Sequence, residues 1–149
     1  MSDLYSEPPP DALIHKTVIP VRYSEIDQMG VVHHGAPVMW FEEGRTRLMA
    51  DAGYPYSTAE ADGVFLPVVE LCVRYRKPAK YGGSIIFETW IARATRMKVV
   101  FRNRLRDDAT NDFLIDASVT LGCLSTTDRK PRPFNDRLQR LVETGGREA

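Results

Sequence analysis

The sequence predicts an α+β domain in which an antiparallel sheet of about five strands wraps around one long helix. From about residue 36 to 52, apolar side chains recur at three- and four-residue steps, which places them on one helix face. In four later segments apolar and polar residues alternate, which is the period of a half-buried strand. One early helix followed by consecutive strands favours a meander that covers the helix.

The first strand is predicted within residues 17–24, which are rich in β-forming side chains. A loop follows, because residues 25–37 contain two glycines and a proline. Pro37 suits the first turn of the helix, where its missing N–H costs nothing, and Gly53 supplies a stop. The buried helix face is predicted to carry the following side chains: Val38, Phe41, Arg45, Leu48, Met49 and Ala52.

The four later strands are predicted around residues 69–75, 85–91, 99–105 and 115–123, and a short helix over residues 136–143. At 149 residues the chain is the size of one domain. We expect a flexible proline-rich leader over residues 1–15, one domain over residues 16–142 and a polar tail over residues 143–149.

The composition argues against a nucleic-acid-binding protein, a membrane-spanning protein and a protein with a cysteine metal site. Lys and Arg (20) balance Asp and Glu (20), so no overall field favours nucleic acid or an anionic membrane. The start of the chain has no signal-peptide pattern, and no apolar run of about 18 residues is present, so we expect a cytoplasmic protein without a membrane span. Cys72 and Cys123 lie in apolar strands without metal-ligand spacing and are expected to be free thiols.

The residues with the most chemical content lie between the first strand and the long helix: Asp27, Gly30, His33, His34 and Gly35. The first turn of a helix presents unpaired N–H groups and a positive dipole end, which suit a carboxylate or a carbonyl oxygen that gains negative charge. On residues alone, Asp27 could equally be an N-cap or loop residue. The two histidines could be a metal pair, but adjacent side chains diverge and no third ligand accompanies them, so no metal site is predicted.

Three separated motifs resemble the 4-hydroxybenzoyl-CoA thioesterase branch of the hotdog superfamily. The first is Tyr23, Asp27 and the run Gly30–His34, followed on the helix by Phe41, Glu42 and Arg45. The others are RYRKPAKYGG (residues 74–83) and DRKPRPFNDRL (residues 128–138). The resemblance covers about residues 18–141 and implies a hotdog fold that hydrolyses an acyl-CoA thioester to a carboxylic acid and CoA, with no cofactor.

Carried over by position, the resemblance implies that Asp27 is catalytic and that the main-chain N–H of His34 polarises the thioester carbonyl, beside Gly35. Asp27 would act either as nucleophile or as general base for water. Two positions depart from the family: Ala36-Pro37 replaces an Asn-aromatic pair, and Gly83 replaces an aspartate. The first departure alters a wall near the scissile bond and leaves the acyl group undetermined.

The basic residues between 93 and 106 have two interpretations. They could form a solvated strand face that protects an edge, or a clamp for the phosphates of coenzyme A. The resemblance favours Arg96 and Lys98 for contact with the nucleotide. It also implies a homodimer or homotetramer whose active sites lie at the subunit boundary.

Two other functions remain open at this point. One is a hotdog hydratase or dehydratase acting on the acyl chain, and the other is a non-catalytic acyl-CoA-binding module. The thioester carrier could be coenzyme A or acyl carrier protein.

Overall fold

The computed structural model describes residues 7–149. Its elements are β1 (His15–Pro20), α1 (Ala36–Asp51), α2 (Tyr56–Ala61), β2 (Val64–Phe65), β3 (Val68–Tyr75), β4 (Ser84–Ala94), β5 (Lys98–Asp107), β6 (Phe113–Gly122), β7 (Leu124–Ser125) and α3 (Asp136–Glu143). The predicted long helix and the predicted short helix are therefore both present. The helix α2 and the short strands β2 and β7 were not predicted.

The main sheet has five antiparallel strands in the order β1-β4-β5-β6-β3, and β2 pairs with β7 in a separate ribbon. The prediction of a simple meander is wrong for β3, which pairs with β6 instead of β4. The free side of β4 is taken by β1, with a ladder from His15↔Thr89 to Pro20↔Ser84. The chain between residues 75 and 84 therefore crosses from one edge region of the sheet to the other.

Helix α1 packs on β1, β4 and β5. Phe41 and Leu48 are fully buried, as their spacing predicts, and Arg45 is 8% exposed. Val38 is exposed, whereas Trp40, which lies off the predicted stripe, is buried. A Cβ on Gly44 would lie 2.2 Å from Thr89 Oγ1, so the absence of a side chain at residue 44 lets the helix approach β4 this closely.

The inward faces of β4, β5 and β6 match the predicted alternation, with Phe87, Phe101 and Val119 nearly inaccessible to solvent. Strand β3 differs from its prediction. Val69, Leu71 and Tyr75 are 54%, 40% and 50% exposed, because β3 is an edge strand beyond the reach of α1. A row of apolar side chains thus remains uncovered on one edge of the sheet.

The interpretation of the β5 arginines as a solvated face is wrong. Arg102 is 4% exposed. The side chains of Arg104 and Arg106 are 12% and 20% exposed and contact carboxylates: Arg104 contacts Glu7 at 3.2 Å, and Arg106 contacts Glu88 at 2.9 Å. Strand β5 is the central strand, so acids on the neighbouring strands and on the leader reach the same outer face.

The start and the end of the described chain contact each other. The Leu13 N–H donates to the Gly145 carbonyl at 3.0 Å, and α3 is capped by the Asn135 side chain, which accepts from the Leu138 N–H. Residues 1–6 of the predicted leader lie outside the described residues, and the flexibility of the leader stays a prediction. Within residues 7–149, no helix is long and apolar enough to cross a membrane. Cys72 and Cys123 are free thiols.

Candidate active site

The loop between β1 and α1 is anchored by Glu25. Its Oε1 accepts from Trp40 Nε1 on α1 at 2.8 Å, and its Oε2 accepts from the Arg22 N–H at 2.9 Å. Its main-chain carbonyl accepts from the His33 N–H at 2.7 Å. The bonds to Arg22 and His33 hold the loop together, and the bond to Trp40 ties it to the helix. Trp40 lies off the main apolar stripe and is buried on the side of the helix that faces this loop.

Asp27 opens a tight turn within this loop. The Gly30 N–H donates to the Asp27 carbonyl at 3.0 Å, and Gly30 adopts φ +74°, a conformation that favours glycine. Asp27 Oδ1 accepts from the Met29 N–H at 2.8 Å. The carboxylate is half-buried, and its Oδ2 has no hydrogen-bond partner among residues 7–149. One oxygen is therefore held in place and the other is available for chemistry.

The turn at His34 has one free donor. The His33 carbonyl accepts from the Ala36 N–H at 3.0 Å, and His33 Nδ1 accepts from the Gly35 N–H at 3.1 Å. The His34 carbonyl accepts from the hydroxyl of Tyr75. In the described part of the chain no acceptor binds the His34 N–H, which lies just before the start of α1. The predicted donor at Gly35 is thus engaged, and the predicted donor at His34 is available.

Asp27 and His34 line one cavity of about 340 Å³. Its other walls come from the end of β3, the following turn and β6, and they include Tyr75, Lys77 and Ile115. The loop is joined to this turn because the Val32 N–H donates to the Ala79 carbonyl at 2.7 Å. Burial raises the pKa of Tyr75 above its usual range.

Tyr75, Arg76 and Lys77 also line the cavity, although the sequence did not predict them as site residues. They stand in the RYRKPAKYGG motif, which predicted only a strand end and a turn. Arg76 Nε lies 2.6 Å from an Asp116 carboxylate oxygen. The Lys77 ammonium lies 3.0 Å from Asp112. These two cations line the cavity, and each is paired with an acid.

Arg96 and Lys98 lie far from Asp27 in the same chain. Lys98 pairs with Gly122, whereas Tyr75, beside the Asp27 cavity, pairs with Ile115. The two pairs are seven residues apart on β6, or about 23 Å at 3.3 Å per residue. Arg96 lines a larger cavity of about 630 Å³, between α3, the end of β4 and residues 9–12. Lys98 lines another, of about 290 Å³, with Glu70 and Arg93.

The described residues contain no group of three or more His, Cys, Asp or Glu side chains that could hold a metal ion. The arrangement instead offers a carboxylate, a free backbone donor and a helix start in one cavity. This set can stabilise an oxyanion and supply a nucleophile or a base.

An antiparallel sheet wrapped around one long helix is the architecture of the hotdog fold. A DHNA-CoA thioesterase from Staphylococcus aureus superposes with a TM-score of 0.79 at 27% identity, over 88% of this chain and 87% of that chain. A Thermus thermophilus protein of the same fold gives a TM-score of 0.78 at 33% identity, over 86% of this chain and 96% of that chain. The predicted fold is confirmed.

Residues 21–142 match the thioesterase-like superfamily. The putative acyl-CoA thioesterase YneP of Bacillus subtilis is 37% identical over 81% of this chain and 87% of its own length. The acyl-CoA thioester hydrolase YbgC of Escherichia coli is 30% identical over 76% of this chain and 85% of its own length. The chain belongs to the thioesterase-like superfamily, in the acyl-CoA thioesterase branch, and the predicted enzyme class, a thioester hydrolase, is confirmed.

Proposed function

We propose that the enzyme hydrolyses acyl-CoA thioesters in the cavity shared by Asp27 and His34, with these two residues as the catalytic groups. The observation that carries the proposal is that a free carboxylate oxygen of Asp27 and the free main-chain N–H of His34, just before α1, belong to residues that line the same cavity. The apolar side chains of Val32, Ala79 and Ile115 line the same cavity and suit an acyl group.

In this mechanism the thioester carbonyl accepts a hydrogen bond from the His34 N–H. The dipole of α1 then stabilises the negative charge that develops on the carbonyl oxygen. In one route Asp27 Oδ2 attacks the carbonyl carbon, the C–S bond breaks, and CoA leaves as a thiolate. Water then hydrolyses the mixed anhydride and restores the carboxylate. In the other route Asp27 takes a proton from water as the water oxygen attacks the carbonyl carbon. The C–S bond then breaks, CoA leaves as the thiol with the proton that Asp27 took, and the carboxylate of Asp27 is restored.

A single turnover in oxygen-18 water separates the two routes. Label recovered in the Asp27 side chain excludes the route in which Asp27 is a general base alone. A release assay for free thiol over acyl-CoA and acyl carrier protein thioesters, with aliphatic and aromatic acyl groups of graded size, tests the function itself. Absence of turnover over the whole panel contradicts the proposal and favours a non-catalytic binding module.

The free edge of β3 supports a homodimer. Val68, Val69, Leu71 and Tyr75 are exposed there, and β3 has a strand neighbour on one side only among the described residues. A second copy paired antiparallel along β3 would continue the sheet and cover this apolar row. The homodimer is the minimum assembly of the proposal, and a tetramer of two such dimers is compatible with it.

The same pairing would bring the predicted coenzyme A residues to the active site. Antiparallel pairing along β3 reverses the sheet direction of the second copy, so the end that carries Lys98 and Glu70 would lie beside the end that carries Tyr75 and the Asp27 cavity. Arg96 and Lys98 of one chain would then serve the coenzyme A bound at Asp27 of the other. We also propose a cytoplasmic location, where acyl-CoA is available.

Replacing both Arg96 and Lys98 by alanine is expected to raise KM for acyl-CoA about tenfold or more, because each cation contacts phosphate through charge-assisted hydrogen bonds. The effect on an acyl-pantetheine thioester, which lacks the nucleotide, should be much smaller, and kcat should change little. Steady-state thiol release with both substrates measures this. Equal losses for the two substrates would assign the cations to folding or to another ligand.

A further inference from the structure

We propose that Tyr75 is a positioning residue for the proposed thioester hydrolysis, acting through the hydrogen bond from its hydroxyl to the His34 carbonyl. The inference rests on the proposed function, since it assigns the His34 N–H as the donor to the thioester carbonyl. Tyr75 is the last residue of β3 and lines the cavity with Asp27 and His34. Its hydroxyl joins the sheet to a loop 41 residues earlier in the chain.

The bond is placed where it controls the conformation of residue 34. A peptide plane precedes His34, and its carbonyl, on His33, is held by the Ala36 N–H. A second peptide plane joins His34 to Gly35. Its carbonyl, on His34, accepts from the Tyr75 hydroxyl, and its N–H, on Gly35, donates to His33 Nδ1. Fixing both planes fixes φ and ψ of His34, and with them the direction of its free N–H.

The two bonds made by His33 are internal to the loop, so they would move with it. The Tyr75 hydroxyl comes from the sheet, which lines the same cavity, and it therefore sets the turn relative to the bound substrate. Burial keeps the hydroxyl protonated, because the pKa of Tyr75 is raised from its usual value. Tyr75 can thus donate throughout the neutral pH range.

Tyr75→Phe removes the hydroxyl and keeps the ring. We expect kcat to fall about tenfold, the scale of one aligned hydrogen bond whose loss misdirects an oxyanion donor. KM and the affinity for a non-hydrolysable acyl-CoA thioether should change less than about twofold, since the ring and the cavity walls remain. The matched control is Tyr81→Phe, at a nearby tyrosine that is 55% exposed and packs edge-to-face on Tyr23 at 5.7 Å. It should leave kcat and KM unchanged.

Two outcomes would overturn the inference. One is an unchanged kcat in Tyr75→Phe, and the other is a rate loss matched by an equal loss of thioether affinity, which would make Tyr75 a binding or folding residue. Asp27→Asn, assayed in parallel, distinguishes a failure of the role of Tyr75 from a failure of the proposed catalytic site. If Asp27→Asn is inactive and Tyr75→Phe is fully active, only the role of Tyr75 fails, whereas a fully active Asp27→Asn refutes the proposed catalytic site.

Discussion

Replacing Asp27 by asparagine is expected to lower kcat for acyl-CoA hydrolysis at least about a hundredfold, the lower range for removal of a catalytic acid or base. Asparagine has nearly the same shape, and its Oδ1 can still accept from the Met29 N–H, so the turn should persist. The variant loses only the charge needed to attack the thioester or to take a proton from water. Affinity for a non-hydrolysable acyl-CoA thioether should therefore be retained.

The matched control for this change is Asp128→Asn. Asp128 also accepts a main-chain N–H two residues ahead, from Lys130 at 3.1 Å, in a turn that does not line the Asp27 cavity. The control should hydrolyse acyl-CoA at the normal rate. A near-normal rate in Asp27→Asn, with the circular dichroism spectrum of the folded protein, would show that Asp27 is not the reacting group.

Lysine at both Val69 and Leu71 is expected to convert the protein to monomers of about 17 kDa. It should also raise KM for acyl-CoA about tenfold or more, as the loss of Arg96 and Lys98 does, because a monomer lacks the cations of the partner. The proposed interface buries these side chains against a second β3, and burying unpaired ammonium groups costs several kcal/mol. The two side chains are already exposed in the isolated chain, so the fold itself should survive. Light scattering and thiol release on the same sample measure both effects.

Val18→Lys provides the control for this interface. Val18 is 52% exposed and lies on β1, the opposite edge of the same sheet. It should change neither the assembly nor the rate. A Val69→Lys/Leu71→Lys double variant that is monomeric and fully active would refute the shared site, and one that remains dimeric would place the interface elsewhere.

The sequence predicts α1, α3 and the inward faces of β4, β5 and β6, because these depend on local periodicity. The spacing of Phe41, Leu48 and Met49 defines the buried face of α1, and in the first half of β4 burial alternates as the sequence predicts, whereas β5 is buried on both faces over residues 99–103. Gly44 is a different case. A side chain at residue 44 would collide with Thr89 on β4, and the spacing of apolar residues does not predict that collision, because it depends on which strand the helix crosses.

The order of the strands was not predictable in the same way. An alternating pattern predicts which side chains share a face of the sheet, but it does not predict which strand lies beside it. The position of β3 at the edge follows from β1 pairing with β4, a contact between segments about 70 residues apart. The exposed apolar row on β3 and the buried arginines on β5 both result from that order.

The candidate site was predicted in part. Asp27 and His34 come from one continuous motif, so the sequence could place them together, and the structure puts both on one cavity. Tyr75 and Lys77 reach that cavity only through the fold, because the loop pairs with the turn after β3 at Val31↔Lys80. Arg96 and Lys98 stand at the other end of the sheet, and a second copy of the chain is needed to bring such residues to Asp27.

A shared active site, built from Asp27 of one chain and from Arg96 and Lys98 of another, can be tested by mixing two defective proteins. Asp27→Asn chains and Arg96→Ala/Lys98→Ala chains are unfolded together, refolded at equal amounts, and assayed at an acyl-CoA concentration well below the KM of the second variant. In a mixed dimer, one site combines an intact Asp27 with intact cations from the partner. We expect activity to recover to about a quarter of the normal rate per chain, since half of the dimers are mixed and half of their sites are intact. Activity that stays at the average of the two separate variants would show that each site lies within one chain.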